Sequence, residues 1–336
     1  MSERKYKVAV VGATGVVGRE MLRVLWERKF PISEVIALAS AKSAGTKLPF
    51  GDREITVQEL TPDAFTGVEF ALFSAGSGVS KEFAPIAAAK GAIVIDNSSA
   101  WRMDPDVPLC VPEANLDAAR VRPKGIIANP NCSTIQMIVA LKPLHDFAKI
   151  KRIVVSTYQA VSGAGAPALK ALEGQNRAVV QGEPVDTSVL KGQLAGNLLM
   201  HWKVDAESLY QEEELKMIHE TRKILGDNSI RVSPTTVRVA VHTGHSESVA
   251  IETERPLTAA KVRELLSKAP GVVLADDFAN GVYPTPLQAH GKDEVFVGRI
   301  REDLGNPGGI LMWIVGDNLR KGAATNAVQI AQGLIT

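Results

Sequence analysis

Apolar residues in the first hundred positions come in short unbroken runs. Residues 7–11, 34–39, 70–73 and 92–95 are nearly continuous in Val, Ile, Leu, Ala and Phe. Runs of this length without polar alternation predict strands buried on both faces. Between them the period changes. Over 16–28, Val17, Met21, Val24 and Leu25 fall on one helical face, and 81–90 reads as a second helix. Buried strands alternating with helices predict an α/β unit with a parallel sheet covered on both sides.

Near residue 130 the pattern shifts. The stretch 135–141 is apolar and helix-like, and the strands beyond it are longer and alternate. Residues 152–159, 236–242 and 247–252 show a period of two, which predicts a mainly antiparallel sheet with one face turned to a polar environment. An alanine-rich stretch over 319–335 predicts a closing helix. No internal repeat or low-complexity linker marks the boundary.

Composition narrows the class. At 336 residues the chain has room for two domains. Lys+Arg is 38 against Asp+Glu 37, so no bulk charge argues for nucleic acid or an anionic membrane. Two cysteines provide neither a disulfide framework nor a four-thiolate metal site, and no metal-ligand spacing stands out. The opening residues 1–7 lack the apolar core of a signal peptide, and no apolar run is long enough for a membrane helix. The expectation is a reducing, cytoplasmic setting.

Candidate chemistry sits at the ends of these elements. Gly12, Gly15 and Gly18, with Thr14, Val16 and Val17 between them, follow the first strand and open the first helix. Glycines there let backbone amides approach a pyrophosphate at a helix N-terminus. The spacing is a variant of the dinucleotide fingerprint, and its strand–loop–helix setting carries the argument. The second strand runs into Ser40, Lys42 and Ser43, where an NAD site would place an acidic residue; a cation and hydroxyls suit the 2′-phosphate of NADP. Cys132 precedes the 135–141 stretch, where a helix dipole and free N–H groups favour thiolate. Cys110, set among Leu109, Val111 and prolines, reads as a buried core thiol. His245 stands in a Gly-containing break between two strands, a place for a base or for an ordinary loop histidine. Arg238 is the one charge among alternating valines and must face water or a bound anion. Glu213 and Lys216, three apart, share a helix face.

Taken in order, these motifs resemble the aspartate-semialdehyde dehydrogenase family along essentially the whole chain. The resemblance rests on residues 12–18, the 96–102 segment ending in Trp101-Arg102, the 129–134 segment around Cys132, the 157–165 segment, the 213–216 segment, the seven-residue step from Arg238 to His245, and the 316–323 segment. It implies a Rossmann-type dinucleotide-binding domain over 1–130, completed by a closing helix over 317–336, and an α+β catalytic and dimerisation domain over 131–316. It also implies NADPH-dependent reduction of L-aspartyl-4-phosphate to L-aspartate 4-semialdehyde through a cysteine thioester, a step toward lysine, methionine, threonine and diaminopimelate. By the same resemblance Cys132 is the nucleophile, His245 the acid/base and Gln159 an orienting residue. Arg238 would hold the substrate carboxylate, Glu213 its amine, and Arg102 with Lys216 the phosphate. Gly12, Thr14, Gly15, Val16, Val17, Ser40, Lys42, Ser43, Ser162, Gly163 and Asn318 would line the cofactor. A homodimer, or a tetramer, is implied. The competing readings are an N-acetyl-glutamyl-phosphate reductase and a non-catalytic NADP-binding assembly protein.

Overall fold

The computed structural model describes residues 4–200 and 203–335. Residues 1–3 of the opening segment and Thr336 of the closing one lie outside the described residues. The chain divides into two compact units, one running to Asn131 and resuming at Ala323, the other Cys132–Gly322.

In the first unit, strands β1 (Tyr6–Val11), β2 (Ile32–Ala39), β5 (Gln58–Glu59), β6 (Phe70–Phe73), β7 (Ile93–Asp96) and β8 (Ile126–Ala128) form one sheet. Its order is β5-β2-β1-β6-β7-β8, and every pair is parallel. Strands β3 (Lys47–Phe50) and β4 (Arg53–Thr56) form a separate hairpin. Helices α1 (Val16–Glu27), α2 (Ser77–Ala89) and the short α3 (Pro112–Asn115) link them, and a closing helix spans Thr325–Ile335. From β1 the chain steps to β2, and from β6 it steps the other way to β7. Right-handed crossovers therefore put α1 and α2 on opposite faces. The core agrees: Met21, Leu22 and Leu25 of α1 share one apolar cluster with Ala327, Val328 and Ile330 of the closing helix. Truncating a buried leucine such as Leu25 in this layer costs about 2–5 kcal/mol. Cys110 lies in the same cluster, fully buried. The reversal of winding between β1 and β6 opens a crevice at their carboxyl ends, where doubly wound sheets bind ligands.

The second unit is built on a seven-stranded mixed sheet around a buried helix. Helix α4 (Cys132–Ala148) is followed by β9 (Ile150–Gln159), α5 (Ala166–Gln181), β10 (Leu198–Met200), α6 (Glu212–Leu225), β11 (Arg231–Val239) and β12 (His245–Thr253). Then come α7 (Ala259–Leu266), β13 (Val272–Leu274), α8 (Pro286–Ala289), β14 (Val295–Glu302) and β15 (Ile310–Gly316). The order β10-β11-β9-β12-β15-β14-β13 is antiparallel at every pair except β11–β9 and β14–β13. Ser133 to Leu141 of α4 are all buried, so this helix is wrapped on every side and needs no polar face. The opposite sheet face leaves Val154 and Tyr158 exposed, with Trp313 tilted against Tyr158 at 5.4 Å.

Three expectations need correction. The strand placed at 236–242 begins earlier, at Arg231, and contains Pro234. Proline is tolerated because, among the described residues, β10 pairs with Val237, Arg238 and Val239 and leaves β11 an edge at Pro234. The helix placed over 319–335 is regular only from Thr325. Before it, Arg320–Ala324 forms a wide turn in which Gly322 N–H reaches back to Asp317 O at 3.0 Å. The cut drawn before residue 317 falls instead after Gly322. Residues 317–322 are tied into the second unit: Asp317 accepts from Gly291 N–H at 2.8 Å, and Arg320 pairs with Asp293 at 2.8 Å.

Candidate active site

Cys132 is the first residue of α4, half-buried, at the end of the helix where backbone N–H groups have no partner within the helix itself. A side chain at Gly322 would put its Cβ 3.0 Å from the Cys132 Cβ, so the wide turn before the closing helix packs tightly against the nucleophile candidate and any side chain there would crowd it. Across from the thiol, β12 begins at His245 directly after Gly244, whose φ of +96° makes the turn into the strand. Cys132 Sγ and His245 Nε2 are 3.2 Å apart. The far ring nitrogen, Nδ1, accepts the Ala160 N–H at 3.0 Å. A peptide N–H is always a donor, so Nδ1 carries no proton, and the proton of the neutral ring sits on Nε2, facing sulfur.

The same residue orients the arginine. Arg238 Nη1 donates to Ala160 O, so the two backbone groups of Ala160 fix the imidazole and the guanidinium together. Of the two places its alternation with valines left open, water or a bound anion, Arg238 does not take the first; it is 5% exposed and lies on the inner face of β11. Burial pushes its pKa below the ordinary value, and the nearby negative charges of Cys132 and Glu213 pull it back. A cation held there with few ligands of its own is a receptor for an anion. An added Cβ at Gly163 would lie 3.4 Å from Arg238 Nη1 and 3.6 Å from His245 Nε2, so this exposed glycine borders the space between the two groups.

Gln159 closes the opposite side. It is buried at the end of β9, and its amide donates to Ser133 Oγ at 2.7 Å and Glu213 Oε1 at 3.3 Å. Glu213 comes from α6, whose start is fixed by a capping box between Gln211 and Glu214 and by three glutamates in the first turn. Its other oxygen pairs with Lys216 Nζ at 3.2 Å, one turn along. Ser162 and Asn318 exchange side-chain bonds at 2.9 and 3.2 Å, and Asn318 also accepts the Gly244 N–H at 2.9 Å. The second unit thus gathers Cys132, Gln159, Ser162, Gly163, Glu213, Lys216, Arg238, His245 and Asn318 around one end of its sheet.

The remaining candidates belong to the first unit. Gly12 turns at φ +82° beside β6; a Cβ there would meet Ser74 O at 2.6 Å. Gly15 caps α1 without any side-chain bond, and the first turn holds no acidic residue. A bare helix start on a glycine cradle fits a pyrophosphate. Ser40, Lys42 and Ser43 lie at the exit of β2 in a 3₁₀ turn, Ala41–Ser43, with Lys42 exposed. Arg102 is buried, and its Nη2 donates to Asn97 O at 2.9 Å. That loop hangs on Asp96, which accepts Ser98 N–H and Oγ–H at 3.2 and 2.6 Å. Burial raises the Asp96 carboxyl above its ordinary range, against the pull of the Ser98 bonds and of Arg102. Sequence reasoning missed Ala160, because its backbone does the work and its side chain signals nothing. Asp96 carried a signal: an acid ending an otherwise apolar strand.

Two family models match the chain: "Semialdehyde dehydrogenase, NAD binding domain" over residues 7–121 and "Semialdehyde dehydrogenase, dimerisation domain" over 141–321. The aspartate-semialdehyde dehydrogenase of Aquifex aeolicus is 55% identical over 333 residues, covering 98% of each chain. The crystal structure of aspartate semialdehyde dehydrogenase II from Vibrio cholerae, complexed with ASA, superposes with a TM-score of 0.96 at 46% identity, covering 99% of each chain. A structure of the Candida albicans enzyme with NADP shares the fold at TM-score 0.76 and 24% identity, covering 98% of each chain.

Proposed function

The chain belongs to the aspartate-semialdehyde dehydrogenase family, and we propose that it reduces L-aspartyl-4-phosphate to L-aspartate 4-semialdehyde through a thioester on Cys132. The observation that carries this reading is the thiol at the start of α4, 3.2 Å from an imidazole nitrogen that bears a proton. Cys132 Sγ attacks the acyl carbon; the C–S bond forms, the bond to the phosphate oxygen breaks, and phosphate leaves with the electron pair. Lys216 and Arg102 are the cations assigned to the leaving phosphate. Arg238 takes the α-carboxylate, and Glu213, held by Gln159 and Lys216, takes the ammonium group.

His245 acts through Nε2. Its N–H steadies the sulfur as thiolate, then turns to the carbonyl oxygen as charge gathers on it. The fixed bond from Ala160 to Nδ1 keeps that proton on the catalytic side of the ring. When bound, the nicotinamide cofactor supplies the hydride that the thioester accepts and a carboxylate would not. Gly12, Thr14, Gly15, Val16 and Val17 would hold its pyrophosphate, and Ser40, Lys42 and Ser43 a 2′-phosphate, which supports NADP over NAD. Ser162, Gly163 and Asn318 would meet the nicotinamide half. Collapse of the tetrahedral adduct breaks the C–S bond and returns the thiolate.

The apolar sheet face carrying Val154, Tyr158 and Trp313 supports a homodimer through the second unit. The testing experiment is phosphate-dependent reduction of NADP by aspartate semialdehyde, in wild type and Cys132→Ala. Turnover by the wild type alone, with NADPH binding kept in the variant, is the expected result. Equal turnover in both would end the covalent mechanism. Preference for N-acetyl-glutamate semialdehyde would end the substrate assignment.

A further inference from the structure

One helical turn beneath Cys132, Gln136 is the lone polar residue in an apolar stretch of α4, and it is 1% exposed. Its Nε2 donates to the His245 backbone carbonyl at 3.2 Å. The carbonyl can only accept, so this contact fixes which end of the amide is nitrogen. Glu247 follows two residues beyond His245 on β12, on the same face of that strand, and neither of its carboxyl oxygens has a hydrogen-bond partner among the described residues. Glu247 is completely buried. No charged group acts on it, so burial holds it as the neutral acid. The amide oxygen lies against Gly316, the register partner of His245 on β15; a Cβ there would stand 2.9 Å from Gln136 Oε1.

Cys132 and Gln136 share a helix face, and His245 and Glu247 share a strand face. The helix and the strand therefore meet at two levels: thiol to imidazole, and amide to backbone carbonyl. With the Ala160 N–H on Nδ1, His245 is held at its ring and at its backbone by different elements. We infer that Gln136 is a positioning residue that sets the Cys132–His245 separation, with Gly316 leaving room for the amide. It does not touch the reacting atoms. The inference rests on the proposed role of Cys132, and it deepens that role by naming what holds the pair.

The test uses Gln136→Met, Gly316→Ala and Glu247→Gln. Two readouts apply: steady-state kinetics with aspartate semialdehyde, and the pH profile of Cys132 alkylation by iodoacetamide without substrate. Gln136→Met and Gly316→Ala are expected to lower kcat roughly tenfold or more with KM little changed. They should also move the alkylation profile. Glu247→Gln replaces one neutral buried group by another of the same shape and, as the control for a nearby polar change, is expected to stay within about twofold of wild type. Unchanged kcat and alkylation in both Gln136→Met and Gly316→Ala would overturn the inference. So would a Glu247→Gln variant as impaired as Gln136→Met. If one variant fails to fold, the other carries the comparison. Alkylation is read without turnover, so a wrong substrate would leave that readout standing, and the two failures are distinguishable.

Discussion

Gly12 offers a stability prediction that the geometry divides into separate parts. Replacing it with alanine forces a side chain into a backbone at φ +82° and sets the new Cβ 2.6 Å from Ser74 O and 2.7 Å from Ser74 C. The conformation alone costs about 1–2 kcal/mol. The contacted atoms are backbone at the exit of β6, so no rotamer change relieves the clash, and overpacking of this kind adds about 1–3 kcal/mol. Two neighbours isolate these contributions. Gly76 has φ +84° and nothing within 4 Å of where a Cβ would fall, so Gly76→Ala reports conformation only. Gly18 has an ordinary helical φ, but its Cβ would fall 2.1 Å from Gly12 O, so Gly18→Ala reports contact only.

Scanning calorimetry and titration with NADPH, followed by nucleotide fluorescence, are the assays. For a unit of this size 1 kcal/mol moves Tm by about 2–4 °C. Gly76→Ala is expected to lower Tm by a few degrees and to leave nucleotide affinity near wild type. Gly12→Ala is expected to lower Tm by about twice as much and to abolish tight nucleotide binding. Gly18→Ala should lie between the two in stability and also weaken binding. The reasoning fails if Gly76→Ala destabilises as much as Gly12→Ala, for then the approach to Ser74 contributes nothing. It fails equally if Gly18→Ala is silent in both assays.

Three further outcomes follow from other parts of the molecule. Gly163→Ala adds a methyl at ordinary contact distance from Arg238 and His245, so Tm should hold while KM for aspartate semialdehyde rises about tenfold; an unchanged KM would remove Gly163 from the substrate's surroundings. Lys42→Asp should erase any preference for NADP over NAD in steady-state kinetics, and a preserved preference would make Lys42 an ordinary surface lysine. Glu247 has a folded pKa raised by burial well above its ordinary 4.5, so the native state keeps a proton that the unfolded chain releases. Its contribution is present in full below the unfolded value and is lost as pH climbs from there through the folded value. Denaturant titrations across pH should therefore show wild type losing stability relative to Glu247→Gln as pH rises, and parallel curves would contradict a neutral buried acid.

Much of this was legible because period and burial agree. Tyr6–Val11 and Phe70–Phe73 are buried on both faces, and their unbroken apolar runs say so directly. Helix α1 ends within one residue of its periodic pattern, since the chain exits through Arg28 and Lys29 soon after the last core leucine. Arg238 stayed open between water and a bound anion because alternation cannot tell a wet strand face from a dry one. Glu247 was readable in principle: it falls in phase with Val249 and Ile251, the buried positions of β12. A charge on the apolar phase of a strand is a flag, as is a lone glutamine inside the apolar start of α4. The wide turn at Arg320–Ala324 left no such trace. It depends on the approach of Gly322 to Cys132, residues far apart in sequence, and local pattern carries no record of that.

The first unit is assembled from two distant stretches of chain, and this governs the order in which the molecule can be built. During synthesis, β1 to β8 emerge long before Ala327, Val328 and Ile330, the residues that finish their core. The intervening unit, Cys132–Gly322, is continuous and can close as soon as it clears the ribosome. Pulse-labelling hydrogen exchange on nascent or refolding chains should then find α4 and β9 protected before β1 and β6. Simultaneous protection would mean the first sheet forms without its last helix. The nucleotide loop, although encoded first, would become competent last, so a nascent chain could not engage cofactor before the thiol site had taken shape.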